Sequence, residues 1–421
     1  MRKNYLWYQL FRYPIVGGAL RLYYKKLKVT GREYFPKNKP ILFVPNHQNS
    51  FMDALLVVCT VRPFIYFLTR AEAFRPPLQG WFLGTLNMLP VYRVRDGFSS
   101  IQKNNAIFEE CFRYYGRNDA VLIFPEANHN LKRRIRPLSK GFTRLAFGGE
   151  EYYDWELDLQ IVPVGLNYTA HREPRNIAHV CYGKPIPVKK YHAEFKEDEK
   201  AATDRMKAEV SKAMKKLVFH APNLDTYPVQ KLLWEVLEPD DAVLTDPATS
   251  NKRIKQTRPH ITEALKEEAK ALTELAEKHD VDLRALAHPQ SFSWKDALML
   301  PVYGFSLANN AIPYQAVRHL TTKVIKDHAF DASIKFLTGV LLLPLFYLVM
   351  CGILALAGVE GSWLAAYFGV SVISAPAFIR AKEVFRLGST QTLKKKKPQL
   401  FEDLTNRLET FRSLRHSIIN E

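Results

Sequence analysis

The chain has 421 residues, enough for more than one folded unit, and a formal net charge of +18, with 60 Lys and Arg against 42 Asp and Glu. That excess leaves nucleic acid, a membrane surface or an anionic substrate as partners. The absence of zinc-ligand spacing, an RNP-like aromatic strand or any recognition module argues against nucleic acid. Cys59, Cys111, Cys181 and Cys351 stand far apart with no CxxC pair, which excludes a disulfide framework and reads as reduced thiols.

The first 27 residues mix Trp7, Tyr8, Phe11, Tyr13, Tyr23 and Tyr24 with Arg12, Arg21, Lys25 and Lys26. Rings at headgroup level with cations toward phosphate suit an interfacial helix, the expectation for residues 1–27; a helix packed on the following domain fits equally well. Arginine and proline interrupt the apolar part and no small-residue cleavage site follows, so a secretory signal is not expected.

Between residues 28 and 190, short apolar runs alternate with helical patterns. Strands are predicted at 41–44, 65–68, 88–92, 121–124, 161–167 and 179–182, and helices at 51–59, 78–86, 99–115 and 141–151. Such alternation predicts an α/β fold, a sheet flanked by helices, with ligands at the carboxyl ends of the strands. Residues 191–290 read as a charged helical region, helical at 201–219 and 261–279, around a Pro-, Asp- and Thr-rich linker at 223–258.

Residues 291–380 read as a membrane region. The stretches 336–358 and 361–379 are charge-free and apolar, roughly 23 and 19 residues, enough for a transmembrane hairpin across a core of about 30 Å. Stretch 297–317 is also uncharged, but Pro301, Asn309, Asn310 and Pro313 interrupt it, and a shallow or re-entrant segment is expected. Basic residues flank the hairpin on both outer sides, so both ends are expected in the cytoplasm with Glu360 beyond the membrane. That makes a multi-pass protein with its α/β domain on the cytoplasmic side. Residues 381–421 form a basic cytoplasmic tail, whose Lys394, Lys395, Lys396 and Lys397 suit contact with anionic membrane lipid.

The chemistry concentrates in Pro45-Asn46-His47-Gln48-Asn49-Ser50-Phe51-Met52-Asp53, directly after a predicted buried strand. Imidazole titrates near neutrality and can act as a general base, and a carboxylate can fix its tautomer and stabilise the imidazolium. No serine or cysteine nucleophile motif accompanies the pair, so direct attack by a substrate hydroxyl is the chemistry that suits it. Three further blocks come after it in order. Asn87-Met88-Leu89-Pro90-Val91-Tyr92-Arg93 ends on a guanidinium. Val121-Leu122-Ile123-Phe124-Pro125-Glu126 leads into the basic loop Lys132, Arg133, Arg134, Arg136 and then Lys140. Ile161-Val162-Pro163-Val164-Gly165 closes the series.

These four blocks in this order resemble the glycerophospholipid acyltransferase superfamily, the glycerol-phosphate and lysophosphatidate acyltransferases, over about residues 28–190. The resemblance implies transfer of an acyl group to a glycerol-3-phosphate or 1-acylglycerol-3-phosphate hydroxyl, with the Glu126 block lining the acceptor site. His47 is then the candidate base and Asp53 its orienter. Guanidinium groups match phosphate oxygens, which makes Arg93 the first choice for the acceptor, with Lys140, Arg133, Arg134 and Arg136 behind it. The donor would be a thioester, on coenzyme A or on acyl-carrier protein. A thiolate leaves easily, so neither a metal nor a cofactor is expected. Two departures stand out: five residues separate His47 from Asp53 where four are common, and Ala127 stands where the family usually has Gly. The longer spacing, and His129 three residues after the Glu, resemble the fungal dual-substrate branch. Two other readings remain open: a non-phosphate acceptor such as a lyso-aminolipid, and a catalytically silent lipid-binding scaffold.

Overall fold

The computed structural model describes residues 5–92, 98–279, 281–289, 292–321, 327–385 and 389–420. The chain divides into two compact units, the first made of Met1–Arg21, Lys26–His171 and Ile177–His220, the second of Leu22–Lys25, Arg172–Asn176 and Ala221–Glu421.

The first unit is built on an eight-stranded sheet: β1 (Lys26–Thr30), β2 (Ile41–Pro45), β3 (Ile65–Arg70), β4 (Met88–Val91), β5 (Ala120–Leu122), β6 (Gln160–Tyr168), β7 (Ile177–Tyr182) and β8 (Ile186–Pro187). Their order is β1-β7-β6-β2-β5-β3-β4, with β8 on β6. Strands β6, β2, β5, β3 and β4 run parallel, while β7 and β8 are antiparallel to β6. All five residues of β2 and all nine of β6 are buried, as expected of central strands covered on both faces. Helices Ser50–Thr60, Phe98–Tyr115, Gly141–Tyr152 and Glu199–Lys215 accompany this sheet, and this is the α/β architecture expected. Pro163, which cannot donate to a ladder, sits where β6 changes partner: β8 pairs with residues Gln160 and Ile161, and β7 with Val164 onward.

Several expectations change. Residues 5–23 form short α- and π-helical pieces rather than one interfacial helix, and 26–30 are strand. Arg12, expected to face phosphate, is buried and donates to the carbonyls of Val58 at 2.7 Å, Pro63 at 3.1 Å and Val61. It caps the carboxyl end of the Ser50–Thr60 helix, whose last carbonyls have no partner within the helix. The boundary expected at residue 190 falls at His220. The Glu199–Lys215 helix buries Ala202, Met206, Val210 and Met214, and the chain beyond it returns to the sheet through Asn167, whose amide donates to Leu217 O at 2.9 Å. A Cβ on Gly165 would collide with that same carbonyl, which is why this strand position takes glycine.

The second unit is helical. The expected linker at 223–258 is folded, with Trp234 buried and donating to Thr257 at 2.7 Å. Its Pro, Asp and Thr content is cap chemistry: Asp246 accepts from Thr249 N at 3.2 Å and Pro247 opens the Pro247–Thr257 helix. The segment expected to be interrupted at Pro301 and Pro313 is one continuous helix, Trp294–His319. The expected hairpin is formed by Asp331–Leu356 and Gly361–Ser374. Among the described residues one helix, His328–Leu356, is long and apolar enough to cross a membrane. The second arm ends at Ser374, before Pro376, so its 14 residues reach about 21 Å, short of a span of about 30 Å.

Replacing Arg12 with Met should keep the apolar stem, remove the Arg12 donor from the Val58 and Pro63 carbonyls and leave Val61 O to the Tyr13 hydroxyl at 3.4 Å. The expected cost is on the order of 2–4 kcal/mol, seen as a thermal midpoint lower by about 5–15 °C. An unchanged midpoint would show that Arg12 does not hold the helix end.

Candidate active site

His47 follows β2 by two residues, and Asn46 between them extends the sheet. Its amide donates to Leu166 O at 3.2 Å and accepts from Leu166 N at 2.7 Å, continuing the β2–β6 ladder past Pro45. The chain then turns through Ser50, held at φ +46°, into the Ser50–Thr60 helix, and this left-handed residue accommodates the five-residue spacing to Asp53.

Asp53 is fully buried, yet every donor it needs is present. Its Oδ2 accepts from His47 Nδ1 at 2.9 Å and from the backbone N–H groups of Gln48 at 2.8 Å and Asn49 at 2.7 Å. Its Oδ1 accepts from the Tyr168 hydroxyl at 2.5 Å. A carboxylate on Nδ1 holds the imidazole in the tautomer whose Nε2 carries the lone pair. The His47 ring stacks on Phe124 with centroids 3.9 Å apart, and His129 meets it edge-on at 5.6 Å. Burial lowers the His47 pKa below the ordinary imidazole value, against the pull of Asp53, and His129 and Arg136 push the same way as burial. Burial thus favours the free base at this ring.

Beyond β5, the Pro125-Glu126-Ala127 turn brings a second carboxylate to the same end of the sheet. Glu126 is buried and accepts from Arg136 Nε at 2.6 Å, while its Oε1 has no hydrogen-bond partner among the described residues. Burial raises its pKa to about 7, with Arg136 opposing and Asp53 reinforcing. Ala127 adopts φ +59°, the conformation glycine takes without cost, so the substitution of Gly by Ala leaves the turn in place at the expense of local strain. Arg136 also donates to Asn128 O, and Arg70, at the end of β3, donates to Asn128 Oδ1 at 2.6 Å.

The other basic candidates separate. Arg133 is buried, its guanidinium 5.3 Å from the Phe219 ring centre and donating to Thr169 O at 3.4 Å, so as placed it supports the loop rather than facing a substrate. Arg134 is half-buried, and Lys140 is exposed at the start of the Gly141–Tyr152 helix. Arg93 lies outside the described residues, as does Asp96. Tyr168, Phe124, Arg70 and Asn128 were not singled out by sequence; Tyr168 and Arg70 each close a strand, the one signal that pointed to them. Among the described residues no group of three or more His, Cys, Asp or Glu could hold a metal ion, and Cys59, Cys111, Cys181 and Cys351 are all free thiols.

Residues 26–167, which carry the dyad, Phe124 and Glu126, match the acyltransferase family. This segment is an acyltransferase domain, and its similarities are to glycerophospholipid acyltransferases. The acyltransferase domain is 30% identical over 151 residues to a 1-acyl-sn-glycerol-3-phosphate acyltransferase of Chlamydomonas reinhardtii, covering 35% of this chain and 41% of that protein. It is 25% identical over 146 residues to glycerol-3-phosphate O-acyltransferase 2 of Saccharomyces cerevisiae, covering 34% of this chain and 20% of that protein. The chain thus spans less than half the length of the curated relatives it matches. The crystal structure of the 1-acyl-sn-glycerophosphate acyltransferase PlsC from Thermotoga maritima aligns at 19% identity and a TM-score of 0.35, covering 50% of this chain and 82% of that one.

The Glu126 carboxyl binds its proton more tightly in the fold, where its pKa is about 7, than in the unfolded chain, where it is near 4.5. Its contribution to stability is therefore full at low pH and is lost as pH rises from 4.5 through 7. Thermal midpoints of wild type and Glu126→Gln, measured across that interval, should diverge as pH rises, with the variant showing the flatter profile. Parallel profiles would mean that Glu126 ionises as it does in water.

Proposed function

We propose that this protein is a membrane-bound O-acyltransferase that moves a fatty acyl group from an acyl thioester to the free hydroxyl of glycerol-3-phosphate or 1-acylglycerol-3-phosphate. The observation that carries the reading is the His47–Asp53 pair, its carboxylate buried and its imidazole partly accessible, with Nδ1 committed to the carboxylate and Nε2 left as the basic atom. His47 Nε2 takes the acceptor's hydroxyl proton as the oxygen attacks the thioester carbonyl. The tetrahedral intermediate collapses with loss of the thiolate, which recovers the proton from the imidazolium as thiol. Asp53 stabilises that imidazolium without leaving its hydrogen bonds. The acyl group then passes from donor to acceptor in one attack, without an acyl-enzyme, in keeping with the lack of a serine or cysteine nucleophile motif in the sequence around His47.

The acceptor phosphate is assigned to the cations beside Glu126. Arg136 is partly exposed, with its side chain 16% accessible, and Arg70 lies on the other side of Asn128. Arg93, Arg134 and Lys140 complete the set proposed for it. Glu126 orients Arg136 and, through Oε1, offers an acceptor to a glycerol hydroxyl. The donor is either acyl-coenzyme A or acyl-carrier protein. No metal or cofactor is called on, and the remaining partner is membrane lipid, with the catalytic domain on the cytoplasmic side.

Purified protein in lipid vesicles should transfer labelled acyl groups to glycerol-3-phosphate or 1-acylglycerol-3-phosphate in preference to dihydroxyacetone or a lyso-aminolipid. His47→Ala should lower the rate by about 10²–10⁴-fold. Tyr168→Phe, which leaves Asp53 three of its donors, should cost about tenfold or less. Preference for the aminolipid would replace the acceptor assignment. Unaltered turnover in folded His47→Ala would remove the mechanism, and inactivity with every donor and acceptor would favour a silent scaffold.

A further inference from the structure

Within the second unit, three helices carry their polarity inside out. Ser306 and Asn310 on Trp294–His319, Tyr347 on Asp331–Leu356 and Ser371 on Gly361–Ser374 are buried against one another. The outer faces hold the large apolar side chains: Leu298 is 74% exposed, Ile312 69%, Leu341 71% and Ile373 76%. A bundle folded in water buries its leucines and presents its asparagines. Hydrocarbon reverses the preference, because it neither penalises an exposed leucine nor offers a partner to an amide.

The polar groups are paired across helices. Tyr347 donates its hydroxyl to Asn310 Oδ1, and Tyr367 donates to Asn309 Oδ1 at 2.6 Å. The Asn309 amide donates to Ser371 Oγ at 3.1 Å, the Asn310 amide to Ser306 O at 3.0 Å, and Ser306 Oγ to Ser374 O at 2.9 Å. Both asparagines that argued against a clean span for this helix thus have both ends of their amides satisfied within the bundle. Near the start of the helix, Asp296 takes both a 2.9 Å and a 2.7 Å contact from Arg380, a bidentate pair that neutralises two charges together. Exposed Trp294 and Trp363 stand in the first turns of their helices, where amphipathic rings suit a membrane interface.

We propose that Trp294–His319, Asp331–Leu356 and Gly361–Ser374 are embedded together in the acyl-chain region of the bilayer as one module, tied internally by the Asn309–Tyr367 and Asn310–Tyr347 hydrogen bonds. The lipid partner is hydrocarbon rather than headgroup. The short Gly361–Ser374 helix needs no span of its own, since it is held to two longer neighbours. The inference deepens the proposed membrane attachment by extending it to a helix that hydropathy alone rejects.

The experiment uses the full chain, reconstituted in vesicles of phosphatidylcholine and phosphatidylglycerol, with a diazirine side chain introduced singly at position 312, 345 or 274. Glu274 is exposed on the charged Glu263–Lys278 helix and serves as the aqueous control. Photolysis should attach lipid at 312 and 345 and not at 274. In parallel, Asn309→Leu/Asn310→Leu and Tyr347→Phe/Tyr367→Phe should each lower the thermal midpoint of detergent-extracted protein by several degrees. Lipid attachment at 345 without attachment at 312 overturns the embedded third helix while leaving membrane attachment intact. Release of the whole protein by alkaline carbonate, with no attachment at either site, overturns both. Asparagine-to-leucine variants as stable as wild type overturn the role of the polar ties.

Discussion

The Asp53 carboxylate is the point on which the catalytic unit converges. It takes one hydrogen bond from a residue just past β2, two from the backbone of the following loop and one from the last residue of β6. Three donors come from the consecutive residues 47–49 and the fourth from the end of β6, so the carboxylate is satisfied only when the turn after β2, the helix carrying Asp53 and β6 are in place together. Each donor lost would cost the buried carboxylate on the order of 1–3 kcal/mol, and loss of all four would leave it uncompensated. The same bonds that make burial of the charge tolerable also fix the histidine's tautomer. Fold and chemistry rest on one group here.

Around that group the charges are arranged to keep His47 neutral and Glu126 poised. Burial disfavours the imidazolium, and Arg136 and His129 add to the effect, while Asp53 alone pulls the other way. For Glu126 the balance reverses: burial and Asp53 favour its proton, and Arg136 opposes them. One guanidinium therefore serves both sites. On one side it adds to the burial that lowers the His47 pKa, and on the other it opposes the burial that raises that of Glu126. An anion arriving at Arg136 would weaken its hold on Glu126, which couples the proposed acceptor site to the protonation of Glu126 through a single side chain.

The central strands were legible because their apolar runs are nearly unbroken, and each lay within two residues of its predicted ends, as with 161–167 against Gln160–Tyr168. Strand β1 was not, since Lys26 and Lys28 on an exposed edge read as charge rather than as strand. The dyad was legible from residue types alone; the Tyr168 contact was not, because 115 residues separate it from Asp53 and only the sheet brings them together. The basic loop failed for a different reason. Arg133 and Arg136 are three apart with the same charge, but Arg133 packs on Phe219 and Arg136 faces Glu126. Composition identifies guanidinium groups without saying which of them the backbone turns inward. The linker at 223–258 was misread because cap residues and loop residues are the same amino acids, and only the helix that a cap opens distinguishes the two.

The helical unit shows the same ambiguity in its strongest form. Asn309 and Asn310 counted against a clean span because a single helix in hydrocarbon cannot satisfy two amides. That argument treats the helix as solitary. Tyr347 and Tyr367 supply the missing donors from 37 and 58 residues away, and with them the polar pair becomes a reason for three helices to associate. In water such hydrogen bonds would compete with solvent, and exposed leucines would drive the same helices to turn their other faces inward. The arrangement seen, with amides inside and leucines outside, is the lower-energy choice only where the surroundings are apolar. Its polarity is therefore information about the solvent as much as about the fold.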